Sequence, residues 1–540
     1  MKTFIQTPKY LFIYALLVPG LLVIASFGCS TGKAGEKSSY DFVQDFGGVA
    51  DGKTNNYAAF MKAAQFLSHK KNLSLNFPTG IYYIKDYKIS AGKYKNDISD
   101  IIFMGMDHVT INGNGSSILI NGNFKRSADY TLPGVPYLYA YNNTVSPFTF
   151  TNCKNLVLKN FILDGGVLQM SRDSNVVEGF NYGIAITDYL PAHESKNIII
   201  DSIQVSHFAT DGFIIRSNGK NIKVTNSVFK NNARQGLSII KGKDIFIQHC
   251  NFDSTGFTGN YTGHSPQAGI DVENEYTIDE LMNINITRCN FRHNNGFQFV
   301  SSSASGKVLL DSCFIADKSN GYEYGYNGVG IYSKNSGIQN SIVFGMLQVE
   351  TGGEPYRGDV AILIKNNIIY SGFSGAISTD YNNPVEIAGN IFIMLPNPHP
   401  NPYFPFIRNQ NATFHDNLII LHPDKLKTHA SNFTSLLQNV RSASRNFWLV
   451  YGNSMSGSKL SSPASRYYKI STDNSRDIGT QYIPEAWLGK AIVHAVGLPA
   501  YSIDKLLNHP FITQYKMVTW NGGVLLQADS VRKEMKKISG

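Results

Sequence analysis

Residues Asp211–Ile240 read DGFIIRSNGKNIKVTNSVFKNNARQGLSII, and two kinds of phrase alternate within them. DGFIIR and QGLSII open on a glycine and run into apolar residues, while NIKVTNSVF alternates apolar and polar residues around an Asn-Ser turn. Alternation with period two sends successive side chains to opposite faces of a strand. Both phrases recur from about Ile101 to Ile420. NLVLKNFIL, NIIIDSIQV, DIFIQHCNF, NINITRCNF and KVLLDSCFI are of one kind, and YGIAIT, AGIDVE, NGFQFV and GVGIYS are of the other. Copies stand about two to three dozen residues apart, the length of one coil with variable loops. One coil cannot bury its own apolar side, whereas stacked coils share a continuous core. The predicted fold class is therefore all-β, a single-stranded parallel β-helix over residues 101–455.

Working outward toward the N-terminus, Asp41–Leu67 reads DFVQDFGGVADGKTNNYAAFMKAAQFL, and FPTGIYYI follows at Phe77–Ile84. Asp51-Gly52 predicts a turn and Thr54 or Asn55 a helix cap, with Ala58, Phe60, Ala63, Ala64 and Leu67 at helical spacing. Such a helix, within a cap and first coils over 41–100, would cover the open end of a solenoid. These phrases resemble the opening of the pectin-lyase-like proteins. That resemblance implies a right-handed β-helix with an N-terminal capping helix, in a superfamily of polysaccharide hydrolases, lyases and epimerases. Repeats fade after about Ser454, so 456–540 is expected to form a C-terminal cap or a small subdomain.

The first residues read as an export signal over 1–28: Lys2 and Lys9, then an apolar run from Tyr10 to Phe27. Gly28-Cys29 resembles the bacterial lipoprotein box, which implies lipidation of Cys29, a tether over 29–40 and a place in the cell envelope. An uncleaved membrane anchor is the competing reading. The net charge of +9 falls by two without that segment, since Lys2 and Lys9 are its only charged residues. A mildly basic exported chain could favour an acidic polymer through its summed field. The linear sequence has no dense Lys/Arg stripe and no recognition-helix pattern, which argues against nucleic acid. Cys250, Cys289 and Cys313 precede or nearly precede a Phe in QHCNF, TRCNF and DSCF, and this shared register predicts stacked, buried small residues, with a disulfide as the alternative. Zinc spacing is absent. A monomer is expected.

Taking the glycines Gly183, Gly212, Gly236, Gly269 and Gly296 as reference fixes the faces of the second phrase. Residues one and three places later are apolar (Ile184/Ile186, Phe213/Ile215, Leu237/Ile239, Ile270/Val272, Phe297/Phe299) and should point inward. Residues two and four places later should point outward: Ala185/Thr187, Ile214/Arg216, Ser238/Ile240, Asp271/Glu273 and Gln298/Val300. Arg234 and Gln267, two before their glycines, should share that face, whereas Asp211 and Gln235, one before, could turn either way.

Asp271 and Glu273 are the first candidates for chemistry. Two residues apart on a strand, their Cβ atoms should lie about 6.5–7 Å apart, near the ~6.5–9.5 Å that an inverting glycosidase needs between its acid and its base. Arg234 on the preceding coil could lower a pKa or hold an acidic sugar, and His264 is a further catalytic candidate. Arg216, Gln235, Ser238, Lys241, Gln267 and Gln298 would contact substrate, with Tyr261 and Tyr324 as sugar-stacking rings. Outward carboxylates could instead bind calcium with carbonyl oxygens, or merely be solvated. A second chemistry is β-elimination at a uronic acid, with Arg234, Arg216, Lys241 and His264 as cations and base. ATDGFIIR and NNARQGLSII also resemble two coils of alginate C5-epimerases, which implies catalytic roles for Asp211 and Arg234, although the Asp-Pro-His-Glu stretch of those enzymes is missing. The ordered motif set of polygalacturonases is not found either, and iota-carrageenases offer only a geometric analogy with the acids in reverse order. The expectation is an exported enzyme acting on an acidic polysaccharide, with hydrolysis ahead of elimination or epimerisation, no certain cofactor, and a non-catalytic glycan-binding adhesin as the rival.

Overall fold

The computed structural model describes residues 37–85 and, with breaks that include 257–264, 275–280 and 318–327, residues 101–421, followed by short strands as far as 482. Strand alternation produces a right-handed parallel β-helix, in which most strands pair in parallel with one from the next coil. Leu156, Ile198, Ile222, Ile245, Ile284 and Val308 are successive partners on one face. On another face Ile184, Phe213, Leu237, Ile270, Phe299, Val329 and Leu347 are successive partners. All are at most 1% exposed and belong to one core. The rings of Phe229, Phe252 and Phe291 stack within it at 5.2 and 5.1 Å.

Two short helices precede the coils. Asp41 caps Phe42–Phe46 by accepting from the backbone N–H groups of Val43 and Gln44. Tyr57–Leu67 starts after Asn56 and buries Ala59, Phe60, Ala63, Ala64 and Leu67. The cap position is Asn56, not Thr54 or Asn55, and Ala59, not Ala58, is the alanine in the apolar stripe: Ala59 stands four residues before Ala63 and shares its face, whereas Ala58 stands two before Phe60 and is exposed. At the far end, parallel stacking continues through Phe447–Val450, to which Arg466–Ile470 and then Asp477–Tyr482 add antiparallel strands.

The cysteines do more than fill space. Cys250, Cys289 and Cys313 stand in one corner column with Ser227, Ser341, Asn367, Asn390 and Asn417, each following a residue that turns the chain. All eight of those preceding residues, Asn226, His249, Arg288, Ser312, Asn340, Asn366, Gly389 and Asp416, have positive φ. Ser227, the three cysteines, Ser341, Asn390 and Asn417 each donate to the carbonyl two residues back. Four thiols, at Cys153, Cys250, Cys289 and Cys313, are free and buried, so no disulfide joins the described coils. Burial pushes the Cys313 thiol up to about 12 and makes it inert.

Candidate functional site

The glycine-led phrases form one sheet face, and its outward column runs Thr149, Ala185, Ile214, Ser238, Asp271, Val300, Gly330 and Gln348 as successive partners. The glycines are required by closeness: a Cβ on Gly236 would stand 2.5 Å from the Gly269 carbonyl oxygen of the next coil. Asp271 therefore faces away from the core, as its neighbours Ile270 and Val272 face into it. It is nonetheless only 6% exposed.

One column toward the strand entrance, Asp211 and Gln235 are cross-strand partners, and their directions are settled by what they hold. Arg234 grips the fully buried Asp211 with two hydrogen bonds, Nε to Oδ1 at 2.8 Å and a terminal nitrogen to Oδ2 at 2.6 Å. Ser238 Oγ donates to the same Oδ2 at 2.8 Å. Gln235 bridges instead to the next coil: its Nε2 donates to Asp271 Oδ2 at 3.1 Å, and its Oε1 accepts from Ala268 N at 2.6 Å. Two chains of polar contacts thus run side by side on three coils, and both contain a carboxyl group cut off from bulk water.

Those carboxyls differ in their company. Asp211 has a guanidinium against it. Asp271 has an uncharged amide, and burial, with the negative charges of Glu273 and Asp211 beside it and Arg234 only partly offsetting them, pushes its carboxyl up to about 8. Near neutral pH Asp271 is a carboxylic acid that holds a proton. Glu273, just past the end of the strand Ile270–Val272, is exposed, and its N–H donates to Ile239 O. The pair combines a shielded proton donor with a solvated carboxylate.

Toward the strand exit the register shifts. Arg216 pairs with Lys241, not with Ile240, because an extra residue bulges the strand Gln235–Gln248. The bulge sets Ile240 beside Ala185 and Ile214 in a small outward apolar cluster against Tyr182. Two cations, Arg216 and Lys241, consequently stand opposite each other on adjacent coils.

Gln298 departs from expectation. Ile270 pairs with Phe299, so Gln298, and not Gly296, occupies the glycine's place in that coil. Its side chain is buried and bonded to Asn294, accepting from Asn294 Nδ2 at 2.8 Å and donating to Asn294 O, which removes it from any outward contact. Phe297, expected inward, is half-buried and meets Tyr332 edge-on. Gln267 sits in a turn, accepting from Asn295. His264, Tyr261, Tyr324 and Cys29 lie outside the described residues. Among the described residues no cluster of three His, Cys, Asp or Glu side chains could hold a metal ion, so calcium finds no carboxylate cage there.

No family model matches the chain. Two proteins of Bacillus subtilis (strain 168) are similar in sequence. The SPbeta prophage-derived uncharacterized protein YorA is 26% identical over 222 residues, 35% of this chain and 37% of the relative. The uncharacterized protein YclG is 22% identical over 345 residues, 55% of this chain and 57% of the relative. The chain thus spans between about a third and just over half of the length of these relatives. Among solved structures, the A-module of the Azotobacter vinelandii mannuronan C-5 epimerase AlgE6 is similar over 70% of this chain and 93% of its own, at 13% identity and a TM-score of 0.41. The tailspike protein of E. coli bacteriophage HK620, solved with a pentasaccharide, covers 71% of this chain and 67% of its own, at 13% identity and a TM-score of 0.43. PfbA, a surface adhesin of Streptococcus pneumoniae, covers 81% of this chain and all of its own, at 14% identity and a TM-score of 0.34.

Proposed function

We propose that the protein is an exported carbohydrate-active enzyme that hydrolyses an acidic polysaccharide on the face carrying Asp271 and Glu273. The observation that carries this reading is the buried, proton-holding Asp271 two residues from an exposed Glu273. Asp271 would protonate the glycosidic oxygen as the sugar–oxygen bond breaks, and Glu273 would take a proton from the water that attacks the anomeric carbon. Gln235 holds the acid in place through Oδ2, and the Asp211–Arg234–Ser238 group holds the coil beneath it. Arg216 and Lys241 would receive a sugar carboxylate. Export and a lipid at Cys29 belong to the same proposal, and incorporation of labelled palmitate that Cys29→Ala abolishes is the expected result.

Elimination or epimerisation is the second reading, favoured by one observation: Arg216 and Lys241 are neighbours, and a uronate losing its C5 proton needs its carboxylate neutralised. Incubation with a panel of acidic and neutral polysaccharides separates the cases. New reducing ends without new ultraviolet absorbance are expected. Products absorbing in the ultraviolet would replace hydrolysis by elimination, and binding without turnover of any glycan would reduce the protein to an adhesin.

A further inference from the structure

Just around the corner from the candidate site the topology assembles something that the linear sequence hides. Lys154, Lys196, Lys220 and Lys243 are successive cross-strand partners on four consecutive coils. In sequence they stand 23 to 42 residues apart; in space adjacent members are one rung apart, about 4.8 Å along the solenoid axis. The column is bounded by Asp107 on the coil before and by Met282 on the coil after. Lys220 is exposed and the other three are partly exposed. Like charges in direct register across strands oppose folding, and an anionic partner lying along the column would offset that cost.

The neighbouring columns give the patch its shape. Beside the lysines runs a ladder of amides, in which Asn155 donates to Asp107, Asn197 to Asn155 and Asn221 to Asn197, at 2.7, 2.8 and 3.0 Å. The next outward column on the same coils is Val157, Ile199, Lys223 and Phe246, which is largely apolar. The one beyond it, Lys159, Asp201, Thr225 and Gln248, is of mixed charge. The cations therefore form a line one residue wide and not a plane. A membrane surface or a duplex selects a broad basic footprint, whereas a line at rung spacing suits a single extended chain with one negative charge per unit. On the strands Asp211–Thr225 and Gln235–Gln248, Arg216 and Lys241 stand four and two residues before Lys220 and Lys243, and between Arg216 and Lys220 in sequence Ser217 Oγ and Asn218 N donate to the Asp188 carboxylate.

From this arrangement we infer that the lysine column is a binding track for a linear polyanionic glycan, running along the solenoid axis beside the site face. A chain of uronate sugars, each about as long as a rung is tall, presents its carboxylates to successive ammonium groups. The track is a binding function of its own, and it stands whether or not Asp271 and Glu273 act as acid and base.

The test uses the purified protein, polygalacturonate oligomers as probe, and two quadruple variants of equal charge. In one, Lys154, Lys196, Lys220 and Lys243 are changed to Gln; in the other, Lys37, Lys53, Lys70 and Lys85, outside the column, are changed instead. The column variant should lose roughly tenfold or more in affinity at low salt, and its plot of log affinity against log salt should flatten by about three to four. The control variant should keep most of both. Equal losses in the two variants would show that net charge, and not the line, does the binding, and would overturn the inference. So would tighter binding of the wild-type protein to duplex DNA, or to vesicles one-third anionic lipid, than to polygalacturonate. Affinity is read by binding alone, without any turnover measurement, which separates failure of the track from failure of the proposed chemistry.

Discussion

The coils around Asp271 and the coils around Asn390 bury polar side chains in opposite ways. In the later coils Asn367, Asn390 and Asn417 point inward at a corner and spend every polar atom on the backbone and on each other: Asn390 Nδ2 donates to the carbonyls of Ile364 and Ala388 and to Asn417 Oδ1, while its Oδ1 accepts from Asn367 N. None of these three side chains is ionisable, and each is satisfied by the fold itself. In the earlier coils Asp211, Arg234, Gln235 and Asp271 are satisfied mainly by one another, on the outward face, and two of them are carboxyls. A buried amide that pairs with its own turn is scaffold. A buried carboxyl that pairs only with an amide side chain retains a proton and a reason to titrate.

Substitutions can break that contrast. The largest effect is expected at Asp271→Asn, which keeps the shape and removes the proton donor: turnover should fall by about 10²–10⁴-fold with unchanged folding. Full turnover in a folded Asp271→Asn, Glu273→Gln double variant would remove both residues from the chemistry. Arg234→Ala leaves Asp211 buried without its cation and should cost about 3–5 kcal/mol of stability, read by denaturant unfolding. Asn390→Ala strips a corner carbonyl and the Asn367 N–H of partners and should cost about 1–3 kcal/mol, with activity per folded molecule unchanged. Cys289→Ser puts into the column the residue found at Ser227 and Ser341 and should change stability by no more than about 1 kcal/mol.

Titration sharpens the same contrast. Asp271 holds its proton up to about 8 when folded, against 3.8 for an ordinary carboxyl. The folded state thus binds more protons than the unfolded one between those values. The stability linked to this group is fully present below about 4 and is lost as pH rises toward about 8. Activity that needs the protonated acid should fall through the same upper value. Asp271→Asn should flatten the stability slope, and a wild-type profile indistinguishable from that of the variant would place Asp271 in water.

Much of the architecture was legible because a repeat reports its own period. The alternation in NLVLKNFIL and its relatives gave the inward columns, and the capping helix followed from its apolar spacing with an error of one alanine. Within the candidate site, the outward placement of Ser238 and Asp271 followed from counting along one strand. Counting failed where the chain gains a residue. The bulge at Ile240 moved Lys241 opposite Arg216, and two extra residues before Phe299 put Gln298 in a glycine's place. A period of two has no memory of the second insertion, since a two-residue slip restores the same alternation, and the one-residue bulge falls at the end of the phrase where no further alternation reveals it.

What the sequence determined by itself is the repeating, one-coil-at-a-time burial of apolar side chains, because that depends only on residues a few places apart. Which polar groups meet was decided by the tertiary structure alone. The Asp211–Arg234 pair, the Gln235–Asp271 bond and the four-lysine line each join residues of different coils. Their contact is set by the register between rungs, and register is a property of stacking that no single coil contains.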